Sequence, residues 1–573
     1  MNAITLSVIW GALTSCGEEM GVALSRTAYS NAVKDGQDFS CAVFGPDARL
    51  VAQGDFSPGH LGGMLYGVQR AVATFDEGEL EDGDTIILND VEMGTGHFPD
   101  IMMITPVFFD GTLIAYVANC AHHVDMGGAV PGSQIVENVN DYYQEGLRIL
   151  PIKYMERGAE SRTATTVLRA NVRLPEKVLG DLRAQANANM LGAERLRSLA
   201  ERYGTDALRD AMSHIISMTE DNMRKAIKAL PEGEYTFEDY LDDCGPGTTP
   251  IRVRVTARVS NGEVEFDFTG SSEQTKTGLN SYLNYTMAYS LCAVKSVVLP
   301  QAPANAGIAV PIKFKVPEGS FFNPTPPTGG SARATINPRI FEVVMAALGQ
   351  AVPERVMAGI SHFSNPNISG IDKDSGRKFI FYDLIMGGTG ARSDRDAAEA
   401  LTYPYNGTNI PVEVQESSAP VLVRCLKIIP DSGGPGKFRG SVGLKKDIRV
   451  SGDDLSLSNL TDRCVHPPFG FAGGRPGCLG STVINPEGQS NVLPSKIFCP
   501  LDDGDVISFR LSGGGGYGNP LQRSIEAVQK DVSAGYVSVE GARRDYGVII
   551  DPDTLAVDVS ATKKTRDEMM RSI

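Results

Sequence analysis

No run in this sequence approaches the ~18 consecutive apolar residues that a membrane-spanning helix needs, so a transmembrane segment is not expected. The opening MNAITLSVIWGALTSCGEEM has no basic start before its apolar stretch and carries Glu18 and Glu19, unlike a secretory leader, which predicts a cytoplasmic protein. Basic patches are missing as well. The densest one, Lys563, Lys564 and Arg566, is interrupted by acids and reads as a solvated helix face. With a net charge of -16, the chain repels phosphate backbones, and nucleic acid is not an expected partner. The nine cysteines (16, 41, 120, 244, 292, 425, 464, 478 and 499) are scattered, odd in number and never spaced C-x-x-C. They imply neither a disulfide framework nor a thiolate zinc site, and they fit a reducing compartment. Nucleophile motifs such as GxSxG or a lysine-serine dyad do not stand out. GGPGKFRG (433–440) lacks the phosphate-loop spacing G-x-x-x-x-G-K-[ST], and GGGGYG (513–518) reads as a turn between packed strands.

What is present is a globular composition, 42% hydrophobic and 21% charged over 573 residues. A chain of that length suggests about three or four packed units. Leu6, Ile9, Trp10, Leu13, Met20, Val22 and Leu24 recur at helical spacing and predict an opening helix over 4–29. The runs CAVFG, RLVAQ, TIILN and IMMITPVFF, separated by turns, predict strands over 39–116 with one helix near 61–75. From 163 to 230 the composition shifts to Ala, Leu, Arg, Glu and Met, which predicts a helical hairpin or bundle serving as an internal lever or dimerising arm. Strands resume near 250 with IRVRVTARV, EVEFDFTG and PIKFKV, and helical patterning returns after 523. The expected fold is α+β and multi-domain: a metal-binding α/β region at 1–160, a helical region at 161–248, a glycine-rich, β-rich mixed region at 249–520 and a helical tail at 521–573.

The chemistry concentrates in the first region. Of seven histidines, His60, His97, His122 and His123 fall there, interleaved with Asp38, Asp90, Asp100 and Asp125. In GTGHFPD, His97 and Asp100 are three apart in a predicted turn, and the strand AYVANCAHH returns His122 and His123. Neighbours on a strand point to opposite faces, so one of that pair is expected to be structural. Two imidazoles with one or two carboxylates suit Mn, Fe or Zn and could activate water or polarise a carbonyl. The bland alternative is a set of histidines hydrogen-bonded within a polar turn. His60, near a helix start, fits a substrate contact or a cap. Asp125 could orient a ligand from behind. Glu145 and Arg148 in YQEGLR either position an anion or pair with each other.

Several blocks carry a resemblance. QDFSCAVFGPDARLVAQG (37–54), NDVEMGTGHFPDIMMITPVF (89–108), AHHVDMGG (121–128), YQEGLRILP (143–151), NVRLPEKVLGDLRAQANAN (171–189), NIPVEVQE (409–416) and GGGGYGNP resemble, in order, the blocks of the hydantoinase B family, which includes N-methylhydantoinase B, 5-oxoprolinase and the acetone carboxylase alpha subunit. The resemblance spans nearly the whole chain. It implies that His97, Asp100 and His122 form the catalytic centre and, with Asp38, hold a divalent metal. Where the family block usually reads N-D-P and G-G-T-H, this chain has Asn89-Asp90-Val91 and Gly94-Thr95-Gly96-His97, which puts the loop geometry and the role of Asp38 in question.

The resemblance further implies a hetero-oligomer with a hydantoinase A-type partner of actin-like ATPase fold. That partner would use ATP and Mg to phosphorylate the oxygen of a small cyclic amide (a hydantoin, 5-oxoproline or another lactam), and this subunit would open the ring. The alternatives are an acetone-type ketone carboxylase subunit, against which the shorter chain argues, and a non-catalytic scaffold, against which the joint retention of His97, Asp100 and His122 argues.

Overall fold

The computed structural model describes residues 2–571 except Thr402 and Asn406. Its first element is α1 (Ala3–Thr27), capped by the Asn2 side chain on the Thr5 N–H. A short α2 (Asn31–Lys34) leads into a seven-stranded antiparallel sheet of β1 (Phe39–Phe44), β2 (Leu50–Gln53), β3 (Thr85–Leu88), β4 (Asp100–Phe109), β5 (Thr112–His122), β6 (Ile152–Glu156) and β7 (Ala159–Glu160), in the order β2-β1-β5-β4-β3-β6-β7. Strand alternation sends Phe39, Cys41 and Val43 to one face, against Ile9, Leu13 and Met20 of α1. Ala42 and Phe44 go to the other, against Met64 and Val68 of α3 (Pro58–Val72). Both faces are therefore covered, which is why β1 is buried at every position.

The segment expected as a lever or arm is instead part of this core. It comprises α4 (Arg162–Asn171), α5 (Pro175–Tyr203) and α6 (Thr205–Lys228). On α5, the Gln185 amide donates to the Ile101 carbonyl (2.9 Å) and Asn119 Oδ1 (2.8 Å), and Asn189 donates to the Met103 carbonyl (3.2 Å). These buried amides dock α5 on β4 and β5, because an unpaired amide there would cost about 1–3 kcal/mol.

A second sheet, β11-β10-β9-β8, follows: β8 (Gly233–Leu241), β9 (Ile251–Ser260), β10 (Glu263–Asp267) and β11 (Ile312–Lys315). On β9, Val253, Val255 and Ala257 point inward while Arg252, Arg254 and Arg258 point outward. Two helices, α7 (Leu283–Val298) and α8 (Asn337–Gly349), pack with this sheet in one core, and α8 is buried at all 13 positions. The rest is β-rich: a four-stranded sheet built on Asn367–Ile371 and Asp453–Leu460, and a five-stranded one built on Gly443–Val450 and Val506–Arg510. The chain is thus α+β with several sheets. Among the described residues, no helix is long and apolar enough to cross a membrane.

Buried ionic bonds join α8 to its surroundings. Arg339, 1% exposed, reaches Asp239 Oδ2 on β8 (2.6 Å) and Asp462 Oδ2 just beyond Asp453–Leu460 (2.7 Å). Arg463 also reaches Asp239 (3.0 Å) and Lys496 reaches Asp462 (3.1 Å), so removing the guanidinium takes one of three cations from this cluster, at a cost of about 3 kcal/mol. Arg339→Met is therefore expected to lower the melting temperature by several degrees in a thermal scan, and a change of less than one degree would refute this role.

Candidate metal centre

The antiparallel register of β4 and β5 sets Asp100 directly across from His122. His97 lies in the turn that enters β4, where the Asp100 N–H donates to its carbonyl (3.0 Å). Asn89 holds this loop in place: its amide donates to the Phe98 and Leu147 carbonyls (both 2.8 Å), and Thr95 Oγ1 donates to the Asn89 carbonyl (2.5 Å).

The three side chains meet in the interior. Asp100 Oδ1 lies 3.0 Å from His97 Nε2 and 3.2 Å from His122 Nδ1, and the two ring nitrogens are 3.1 Å apart. All are buried, with donor atoms within 4.8 Å of one another. His97 Nδ1 donates to the Ser331 carbonyl (2.7 Å), which fixes the tautomer and turns the Nε2 lone pair toward the carboxylate. Burial pushes the His97 imidazolium down to about 4, so the ring is neutral at ordinary pH. Burial alone would raise Asp100, but the cationic charge around it, above all the permanently charged Arg333 guanidinium on Oδ2, holds the carboxyl well below its usual range. An imidazole lone pair and a carboxylate oxygen thus face each other at hydrogen-bond distance with no proton between them, a repulsive pairing that a cation resolves. Gln134 lies 3.2 Å from His122 Nε2. Its amide nitrogen donates to that ring nitrogen, which leaves the His122 proton on Nδ1, the atom that a metal in this centre would take over. Two nitrogens and one oxygen fit Mn, Fe or Zn.

The other expected residues divide sharply. His60, on α3, places Nε2 3.5 Å from Asp100 Oδ1 and 3.8 Å from Asp38, so it joins the cluster rather than capping its helix. Burial pulls its pKa down, but Asp100 and Asp38 overcome this and raise it. Asp38 lines the same cavity and accepts from Tyr382 Oη (3.3 Å), outside the three-residue donor group. His123 turns to the opposite face and meets Gln185 Oε1 (2.9 Å). Asp125 does not back a ligand histidine. It accepts from the Gly127, Gly132 and Arg173 N–H groups and pairs with the Arg173 side chain (2.9 Å), which organises the loop after β5.

Glu145 and Arg148 do not pair with each other. Arg148 bonds Asp90 and Glu92, while Glu145 Oε1 accepts from the Gly330 (2.8 Å) and Ser331 (2.9 Å) N–H groups. Glu145 therefore reaches His97 through Ser331.

Distant residues complete the site. Arg333 bonds Asp100 Oδ2, to which Tyr285 Oη also donates (3.2 Å), and its guanidinium lies over the Tyr285 ring, 4.0 Å from the centroid. A Cβ added at Gly96 would stand 1.8 Å from Arg333 Nε, so only glycine admits that guanidinium. Arg333, Tyr285, Gln134 and Tyr382 gave no signal beyond the glycines before Arg333 in TGGSARA. The cavity these residues line is ≈ 20 Å³, room for a single water-sized occupant.

A hydantoinase B/oxoprolinase family model matches residues 2–520. An uncharacterised protein of Methanocaldococcus jannaschii is 34% identical, over 99% of this chain and 100% of its own. The B-type subunit of a putative D-/L-hydantoinase of Pseudomonas sp. (strain NS671) is 32% identical, over 99% and 98%. Among solved structures, the ATP-dependent caprolactamase from Pseudomonas jessenii superposes with a TM-score of 0.87 at 27% identity, over 99% of this chain and 100% of that one. Nucleotide-free acetone carboxylase superposes with a TM-score of 0.91 at 19% identity, over 99% and 83%, a likeness of fold.

Two outcomes follow from the geometry. Gly96→Ala is expected to displace Arg333 and destabilise the protein by about 3 kcal/mol, yet to add little in an Arg333→Ala background; additive melting shifts would show that the two positions are independent. Burial raises Glu145 from its ordinary 4.5 to about 8, against the pull of its two backbone donors. The folded protein then keeps a proton that the unfolded chain releases above 4.5, so this stabilisation is complete below 4.5 and drains as pH climbs to about 8. Glu145→Gln should flatten the fall in melting temperature between those pH values, and an unchanged slope would contradict the assignment.

Proposed function

Because the chain belongs to the hydantoinase B/oxoprolinase family, we propose that it is the metal-holding B-type subunit of an ATP-dependent cyclic amide hydrolase, acting on an amide whose oxygen a hydantoinase A-type partner has phosphorylated with ATP and Mg. The observation that carries this reading is the unprotonated contact of His97 Nε2 with Asp100 Oδ1 beside His122 Nδ1. His97, Asp100 and His122 would hold the divalent metal, with Asp38 as a further ligand. When bound, such an ion supplies Lewis acidity at neutral pH. An unstrained lactam is a poor electrophile, and phosphorylation of its oxygen activates the amide carbon: water adds there, the ring C–N bond breaks to leave an acyl phosphate, and a second water releases phosphate and the free carboxylate.

The surrounding residues suit the remaining steps. Arg333 and Tyr285 hold Asp100 Oδ2, which leaves Oδ1 facing the two imidazoles. When the ring C–N bond breaks, the departing nitrogen needs a proton, and His60, kept basic by Asp100 and Asp38, is placed to hold one.

The split across two polypeptides has support in the glycine runs. A Cβ at Gly440 would lie 2.0 Å from the Gly514 carbonyl oxygen, and one at Gly434 would lie 2.4 Å from the Gly516 nitrogen. Those runs are packed backbone against backbone, with no cradle for phosphates.

The test is metal analysis of the purified chain and of a His97→Ala, His122→Ala double variant, followed by assay with its ATP-using partner on hydantoin, 5-oxoproline and caprolactam. Near-stoichiometric Mn, Fe or Zn, lost in the variant together with ATP-dependent ring opening, is the expected result. Metal absent from both proteins after reconstitution would leave a scaffold.

A further inference from the structure

A cavity of ≈ 20 Å³ cannot admit a ring, so a substrate of the metal centre needs room beside it. That room exists. A second cavity of ≈ 360 Å³ shares its walls with the first, and each shared segment gives side chains to both. Ser57 and His60 face the metal cavity while Phe56 and Leu65 face the larger one; Tyr289 faces the first while Leu291 and Cys292 face the second; Tyr405 and Tyr403 divide in the same way.

The partition is thin because α3 and α7 touch through glycines. A Cβ at Gly59 would stand 2.1 Å from Tyr289 Oη, and one at Gly62 would stand 2.2 Å from Ala288 Cβ. Leu50 and Gln53, at the end of the block 37–54, line the larger cavity, and its residues take no part in the centre described above.

Its lining has two characters. Leu50, Phe56, Leu65, Leu291 and Ile308 form an apolar body. On the last turns of α7, Lys295 and Ser296 form a polar end with Tyr403, whose Oη lies 2.8 Å from Ser296 Oγ. Lys295 Nζ donates to the Pro300 carbonyl (2.6 Å), one of the three hydrogen bonds an ammonium can give. Asp55 lines the same cavity from an exposed position and is the acidic neighbour whose charge favours the Lys295 ammonium. Burial pushes the Lys295 ammonium down from its ordinary range, against the opposing pull of Cys292 and Asp55, and an arriving anion would offset that penalty.

We infer that this cavity is a small-molecule site adjoining the metal centre, which takes the apolar ring of a carboxylate-bearing cyclic amide with its carboxylate on Lys295. The ring class rests on the function proposed above; the site and its preference for an anion rest on the cavity itself.

The test is calorimetric titration of the full chain with 5-oxoproline and with pyrrolidinone, the same lactam without the carboxylate. Lys295→Met is expected to weaken 5-oxoproline about tenfold while leaving pyrrolidinone unchanged. Ala309→Trp and Ala304→Trp, two partly exposed lining positions, should each abolish binding of both. Metal content, measured on every variant, should match the parent chain and so report an intact fold. Absence of binding to the parent chain, or binding indifferent to all three substitutions, would overturn the assignment. Ring opening that persists through those substitutions would remove the cavity and leave the proposed function standing. Lys295-dependent binding to a chain that never takes up metal would do the reverse.

Discussion

The centre depends on the contact between Arg333 and Asp100. A carboxylate surrounded by three imidazoles and shut off from water is costly to keep charged, and the buried guanidinium on Oδ2 supplies the compensating charge. That arginine comes from the second half of the chain, on a segment with its own fastenings. Glu145 takes the Gly330 and Ser331 N–H groups, Ser331 returns its carbonyl to His97, and His362 Nε2 meets the Thr335 carbonyl (3.0 Å). His97, the counter-charge of Asp100 and a structural histidine are thus held by one stretch of backbone, and an error in placing that stretch would reach all three.

The same physics appears on the far side of that segment. Arg339 and Arg463, both fully enclosed, pair with Asp239, Asp462 and Glu342, while Lys496 joins Asp462 (3.1 Å). Burial, joined by Arg339 and Arg463 against the opposing Asp462, drives His362 down to about 3. A neutral His362 fits its bonds, because Nδ1 accepts the Phe363 N–H (2.8 Å) while Nε2 donates to Thr335. Residues 329–337 therefore run between two clusters of buried charge, and each cluster keeps its geometry only if the segment between them holds.

Much of the fold was legible wherever one face of an element met water. The alternation of β9 and the apolar spacing of α1 declared themselves because their outer faces are polar or exposed. Helix α8 did not, since a helix buried all round has no amphipathic period. Strand β8 was missed for the opposite reason: it is a sheet edge rich in Glu and Asp, and its Tyr235 and Phe237 are only partly covered. In the site, the H-x-x-D spacing and the paired histidines were visible because the strand register that unites them is local. Arg333, Tyr285 and Tyr382 were not, because their meeting with Asp100 and Asp38 depends on tertiary packing across nearly the whole chain.

One departure from the expected loop becomes intelligible in that light. The family order G-G-T-H places a side chain immediately before the histidine, whereas here threonine and glycine stand in exchanged order as Thr95-Gly96. Thr95 Oγ1 keeps a structural task, on the Asn89 carbonyl, so the loop still delivers His97 and Asp100 at their three-residue spacing. Gly96 leaves free the volume that the Arg333 guanidinium fills. With a side chain at position 96, the guanidinium could not keep its present place on Asp100 Oδ2, and the buried carboxylate would lose the counter-charge that holds it.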